Sequence, residues 1–375
     1  MGKIWICADQ VFDGGLLHDR MAVGFENGSV TDVVPMAALP AGAVCTAING
    51  ILTPGYLDLQ VNGGGGVMLN TAPSLAAMAA IAAAHRQFGT VAVLPTVITD
   101  APDILARAVD ATIAAKGMPG LLGLHVEGPH ISPARRGTHA AKHIRPLDDT
   151  TITQIQRLRN HRIGVMITLA PEMTRSGQIA HLVAMGAVVS IGHSDATADQ
   201  VAQALAEGAS CFTHLFNAMS PMLGRAAGVT GQAINSTAYC GFICDGHHVG
   251  DDMLMLAIRA RPVADRMLLV SDAMATVGGP EQFDLYGKTI HLAGGRLIND
   301  EGHLAGAHST MAMGVARLIL RMKIGVETAL RMAISTPAAV IGQPGLAALM
   351  GQTTENLRVL GPDFVPQNLQ LPDAR

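Results

Sequence analysis

The amino-acid sequence predicts an α/β fold: a TIM-like (β/α)8 barrel with a small β-sandwich domain formed from both chain ends. Three observations carry that expectation. The 375 residues are 49% hydrophobic and 14% charged, a composition that fills one large core. From Pro54 onward, apolar strand-like runs alternate with Ala-rich helical stretches, the texture of βα units on a parallel sheet. The alternation repeats eight times over nearly 300 residues, which suits a closed barrel better than an open doubly wound sheet.

Taken in order, residues 1–53 alternate short apolar runs with turn signals ("KIWICADQVF", "MAVGFENGSVTDVV") and read as the N-terminal part of the β-sandwich. Residues 54–345 read as the barrel, with strands at "YLDLQV", "VAVLPTVI", "LLGLHVE", "IGVMITLA", "AVVSIGH", "CFTHLF", "YCGFICD" and "RMLLVSD". Between them, "PSLAAMAAIAAAHRQFG", "APDILARAVDATIAAKG" and "ATADQVAQALAEG" combine helix-forming composition with capping residues. Residues 346–375 return to short β-like texture and are expected to rejoin the N-terminal module.

Composition also excludes partners. A net charge of -4 without any Lys/Arg block leaves no footprint for nucleic acid or an anionic membrane surface, so a small molecule is the expected partner. No apolar run reaches the roughly 20 residues that span a bilayer, and the first residues lack a secretory pattern; a cytoplasmic protein is expected. The five cysteines (7, 45, 211, 240 and 244) form no CxxC pair, and their odd number suggests buried free thiols.

The scarce polar groups fall at strand ends. In "LGLHVEGPH" side chains alternate faces, so His125 and Glu127 point together into the barrel. "VVSIGH" ends with His193, "CFTH" with His214 and "MLLVSD" with Asp272. In a barrel these ends converge on the face where catalytic groups sit. Glu127, His193 and His214 offer one carboxylate oxygen and two imidazole nitrogens, a set suited to Zn²⁺ with a fourth position open. Asp272 is placed to act as general base and then general acid, its alternative being an N-cap before "AMATVG". His125, deeper in the pleat, reads equally as support for the ligands or as core; His130 lies in the loop and takes no role.

Together, "GLHVEGPHISPARRGTHAAKH", "VSIGHSDA", "THLFNAMSPMLGRAAG", "CDGHHV" and "LVSDAM" resemble the ordered motifs of the N-acetylglucosamine-6-phosphate deacetylase family, within the amidohydrolase superfamily. The resemblance spans about three quarters of the chain. It implies hydrolysis of N-acetylglucosamine 6-phosphate to glucosamine 6-phosphate and acetate, in amino-sugar catabolism and cell-wall sugar recycling, with one divalent metal ion per subunit. By motif it makes Glu127, His193 and His214 the ligands, Asp272 the base and acid, and His139 the group that polarises the acetamide carbonyl. Thr138, Asn217, Ala218, Arg225, His248, Ala305, Gly306 and Ala307 match positions that bind the sugar and its phosphate. Judged alone, Arg225 reads equally as a solvated loop charge. The family implies a homodimer, in which Arg225 would act across the interface.

Departures bear on detail. Where many amidohydrolases carry His-x-His after the first strand, this chain has Gln60 and Asn62, so a second metal position is expected to be vacant. His247 and His308 stand where other residue types are usual, both at positions expected near the sugar, which leaves the sugar epimer open. The competing readings are a mononuclear amidohydrolase acting on N-acetylgalactosamine 6-phosphate or an N-acyl amino acid, and a metal-free barrel that only binds.

Overall fold

Eight parallel strands follow one another around a barrel: Tyr56–Val61, Thr90–Ile98, Gly123–Glu127, Gly164–Leu169, Val188–Ile191, Cys211–Phe212, Tyr239–Phe242 and Met267–Leu269. They coincide with the eight apolar runs of the sequence, and the expected fold class is the one observed. This computed structural model describes residues 3–298 and 304–372. Among them, no helix is long and apolar enough to cross a membrane.

Local chemistry starts the barrel helices. Ser74 caps Leu75–Arg86 by accepting from the Ala77 amide, and Pro102 opens Pro102–Ala114 at a position that needs no amide donor. Thr197 and Gln200 form a reciprocal capping box ahead of Ala198–Ala206. Leu105, Ala108 and Val109 from one such helix, and Val201 and Ala204 from another, pack on the outer faces of the strands. Leu59, Leu94, Met166 and Leu268 fill the barrel interior below the functional end.

Both chain ends build a second sheet of six strands, with Leu357–Leu360 pairing against Cys45–Pro54 and Ile4–Phe12 lying at the centre. Its core holds Ile6, Val23, Phe25, Leu52, Leu357 and Leu369. Here the cysteine expectation needs correction, because Cys7 and Cys45, on adjacent parallel strands, form a disulfide. Their separation of 38 residues carries no pairing signal; only the strand register brings them together. Cys211, Cys240 and Cys244 are buried free thiols, as expected.

Two features position the site. The seam between the eighth and first strands has no continuous ladder. It is closed by Asp272 N donating to Gln60 O at 3.0 Å, by a bridge between Val61 and Ala273, and by Asp58 Oδ1, which accepts from the amides of Gln60 and Ser271 at 3.2 Å each. Beyond that strand the chain makes an antiparallel sheet, Gln282–Leu285, Lys288–Ala293, Arg296–Ile298 and Leu304–Ala307, before the helix Met311–Ala316. Phe283, Leu285, Ile290 and Leu297 pack it onto Met68, Ile98 and Met274 at the barrel rim. The apolar pattern of the sequence gives no sign of this excursion, and residues 305–307, expected in a loop, lie in its last strand.

Candidate metal and hydrolytic site

At the C-terminal end of the barrel, Glu127 Oε1 lies 3.2 Å from His193 Nε2 and 3.1 Å from His214 Nε2, and the two imidazole nitrogens are 3.0 Å apart. Four ligands on a tetrahedral ion with bonds of about 2.0–2.1 Å stand about 3.3–3.4 Å from each other, so these three donors nearly have the required spacing. Glu127, His139 and His193 also offer donors within 4.8 Å of one another. That set is looser, and the triangle with His214 is the better cradle.

The backbone makes this convergence possible. His193, His214 and Asp272 leave their strands with φ of 48°, 33° and 51°, left-handed values that non-glycine residues seldom adopt. Each such residue costs on the order of 1–3 kcal/mol, the kind of local strain that gathers at functional sites. Ahead of His193, a Cβ on Gly192 would fall 2.8 Å from both Thr168 Cγ2 and Thr213 Cβ, so only glycine lets the fifth strand approach its neighbours there. No helix starts at Asp272, which removes the N-cap alternative.

Hydrogen bonds orient two of the candidate ligands, His193 and Glu127. His193 Nδ1 donates to the Arg135 carbonyl at 2.9 Å, which leaves the Nε2 lone pair for a cation. Gln60 and Asn62 do more than stand in for absent histidines. The Gln60 amide donates to Glu127 Oε1 at 3.0 Å and to Asp272 Oδ1 at 3.1 Å, while Asn62 Nδ2 donates to Asp272 Oδ1 at 2.7 Å. With their NH₂ groups on these two carboxylates, they act here as donors.

Electrostatics separates the two acids. Burial would raise Glu127, but hydrogen bonds and charge from His193 and His214 hold it well below the usual carboxylate range. Burial and the nearby Glu127 charge push Asp272 up to about 6. Burial drives His139 down to about 3, with His193 adding to the effect, so its ring is neutral near pH 7.

The described residues lining this cleft, a cavity of about 170 Å³, include Glu127, Asp272 and four histidines but no Lys or Arg. Two buried carboxylates without a fixed cation, beside imidazoles aimed at one point, fit a divalent ion.

His139 rises from the loop after the third strand, with its ring centroid 4.3 Å from that of His193. Thr138, Asn217, Ala218, His248 and Gly306 line the same cleft, joined by Ile98, Gly137, Met274 and Leu304, which the sequence reading does not single out. The Asn217 side chain is turned back, donating to the carbonyls of His214 and Leu215 at 3.1 and 3.3 Å. His248 Nδ1 is held 2.6 Å from Asp245 Oδ2. Burial would raise Asp245, but this bond and the His248 charge bring it down to about 2.

Other candidates fall elsewhere. Ala305 and Ala307 are buried and do not line the cleft, and Arg225 is exposed on the segment after Ser220, also outside it. His308 bonds Thr276 Oγ1 at 2.8 Å and faces a separate apolar hollow, while His247 is exposed beside Gly295. Neither lines the cleft, contrary to the expectation from sequence. His125 bonds the Leu59 carbonyl at 3.0 Å and Thr168 Oγ1 at 2.8 Å, in a polar layer that continues through Thr213 to Ser190 beneath the candidate ligands. His130 bonds the Arg145 carbonyl and Thr151 Oγ1, tying down its loop.

The chain is similar to known proteins over most of its length. The chain is 42% identical over 303 residues to N-acetylgalactosamine-6-phosphate deacetylase of Shewanella sp. (strain ANA-3), covering 80% of this chain and 76% of that protein. It is 32% identical over 351 residues to N-acetylglucosamine-6-phosphate deacetylase of Haemophilus influenzae, covering 89% and 91%. The crystal structure of N-acetylglucosamine-6-phosphate deacetylase from Pasteurella multocida superposes with a TM-score of 0.89 at 31% identity over 97% of both chains. A point mutant of the Mycobacterium smegmatis enzyme, in complex with N-acetyl-D-glucosamine-6-phosphate, superposes with a TM-score of 0.88 at 28% identity, covering 98% and 97%. No family model matches the sequence.

Proposed function

The chain belongs to the N-acetylglucosamine-6-phosphate deacetylase family of the amidohydrolase superfamily, and from that premise we propose that it hydrolyses N-acetylglucosamine 6-phosphate to acetate and glucosamine 6-phosphate. The observation that carries this reading is the triangle of Glu127, His193 and His214 with Asp272 across the same cleft. Glu127, His193 and His214 would hold a divalent ion, Zn²⁺ being the best match, and such an ion would supply Lewis acidity to the hydrolysis.

The chain's residues do the rest. The Asp272 carboxylate takes the proton of the water as its oxygen bonds to the acetyl carbon. His139 donates to the carbonyl oxygen as negative charge builds there. When the C–N bond breaks, Asp272 returns the proton to the departing amine. Gln60 and Asn62 fix the Asp272 oxygen that is not needed for this transfer, and Gln60 ties it to Glu127.

Among the described residues, the cleft supplies no Lys or Arg to the phosphate. We place Ala218, Asn217 and His248 at that end, with the exposed Arg225 reaching the phosphate in a neighbouring subunit of a homodimer. A second reading, preference for the galacto epimer, rests on one observation: the relative at 42% identity is an N-acetylgalactosamine-6-phosphate deacetylase.

The test is acetate release from N-acetylglucosamine 6-phosphate, its galacto epimer, the unphosphorylated sugars and N-acetyl amino acids. Both 6-phosphates are expected to exceed the unphosphorylated sugars in kcat/KM by about 100-fold or more, the scale of charge-assisted phosphate contacts. Equal rates with and without phosphate would point to another N-acyl substrate; the ratio of the two epimers decides between the two sugar readings.

A further inference from the structure

Tyr286 sits at the turn joining the first two strands of the added sheet, with φ of 54°. Its hydroxyl donates to the carbonyl oxygen of Thr99, the residue that follows the second barrel strand. The Thr99 side chain faces the other way: its Oγ1 lies 2.8 Å from His139 Nδ1. Both Thr99 and His139 are buried, and His139 Nδ1 is the partner of that hydroxyl among the described residues. The neighbouring backbone is shaped around the contact, since a Cβ on Gly128 (φ 79°) would stand 2.2 Å from Thr99 Oγ1.

We propose that Thr99, anchored by Tyr286, is a positioning residue that donates its hydroxyl proton to His139 Nδ1 and thereby holds His139 in the Nε2–H tautomer. A neutral imidazole carries one N–H and one lone pair, and the bond made by one nitrogen decides what the other presents. With Nδ1 accepting from Thr99, the second nitrogen is a donor, able to polarise a carbonyl oxygen and unable to bind a cation. With Nδ1 protonated, Nε2 would show the cleft a lone pair that repels the carbonyl oxygen. It would also make His139 a rival ligand, which the donor set of Glu127, His139 and His193 shows to be within reach. The Thr99 hydroxyl therefore separates the ligands from the hydrogen-bond donor in a cluster where three imidazoles crowd one point. The sheet beyond the eighth strand, through Tyr286, fixes the backbone from which that hydroxyl projects.

This inference rests on the assignment of His139 to the carbonyl oxygen, and the experiment separates the two. Thr99→Val, Thr99→Ser, Tyr286→Phe and His139→Ala are assayed for kcat and KM, with metal content measured. The ring tautomer of His139 is read by ¹⁵N NMR of histidine-labelled protein. Thr99→Ser is expected to keep the Nε2–H tautomer and most of the activity. Thr99→Val is expected to lose that tautomer and about 10- to 100-fold in kcat, with KM and metal content little changed. Tyr286→Phe is expected to shift both in the same direction by less. An Nδ1–H tautomer in the unaltered protein, or Thr99→Val with unchanged kcat while His139→Ala is inactive, overturns the role of Thr99 alone. Full activity in His139→Ala overturns the assignment of His139 itself.

Discussion

Asp272→Asn is expected to lower turnover by about 10³-fold while metal content and thermal stability stay close to those of the unaltered protein. The expectation follows from how the carboxylate is held. Gln60 and Asn62 both donate to Oδ1, and an asparagine placed with its carbonyl there keeps both bonds. What the amide loses is the ability to take a proton from water and return it to an amine. The variant thus removes chemistry and spares packing. Acetate release, elemental analysis and a melting curve check the three parts; turnover within tenfold of the unaltered enzyme sinks the assignment of Asp272 as base and acid.

The second large effect concerns the metal. Elemental analysis is expected to find one tightly held divalent ion per chain, and chelation is expected to remove at least about 10³-fold of the activity, restored by adding Zn²⁺. One ion is expected because Gln60 and Asn62 direct NH₂ groups at the carboxylates, and an amide nitrogen has no basic lone pair with which to bind a second ion as an imidazole would. Removing the ion should also lower the Tm, since ligand that binds only the folded chain stabilises it. Two firmly bound ions per chain, or activity that survives exhaustive chelation, would contradict this account.

Much of the site was legible because the chain uses polar residues sparingly. Glu127, His193, His214 and Asp272 each end an apolar run, and the barrel forces such ends together. The helices were legible for equally local reasons, as at Ser74 and Thr197. What stayed hidden depends on partners distant in sequence. Gln60 and Asn62 read as missing metal ligands, and their bonds to Glu127 and Asp272 appear only once the first and eighth strands meet. Cys7 and Cys45 pair through strand register, which spacing does not encode. Thr99 looks like one more β-branched strand residue, although a polar group just past the "VAVLPTVI" run obeys the same rule that picked out the candidate ligands. The four-stranded sheet escapes notice because its strands are short and rich in glycine turns.

The seam between the eighth and first strands carries a consequence for heat inactivation. Seven of the eight joints around the barrel are strand ladders, whereas this one depends on Asp58, on the Gln60 carbonyl and on the backbone of Asp272 itself. Structural closure and the proposed proton transfer therefore share the same few atoms. A modest opening there would separate Asp272 from Glu127 long before the helices melted. Catalytic failure on warming should run ahead of the loss of helical signal, with the barrel coming apart first along the line where it works.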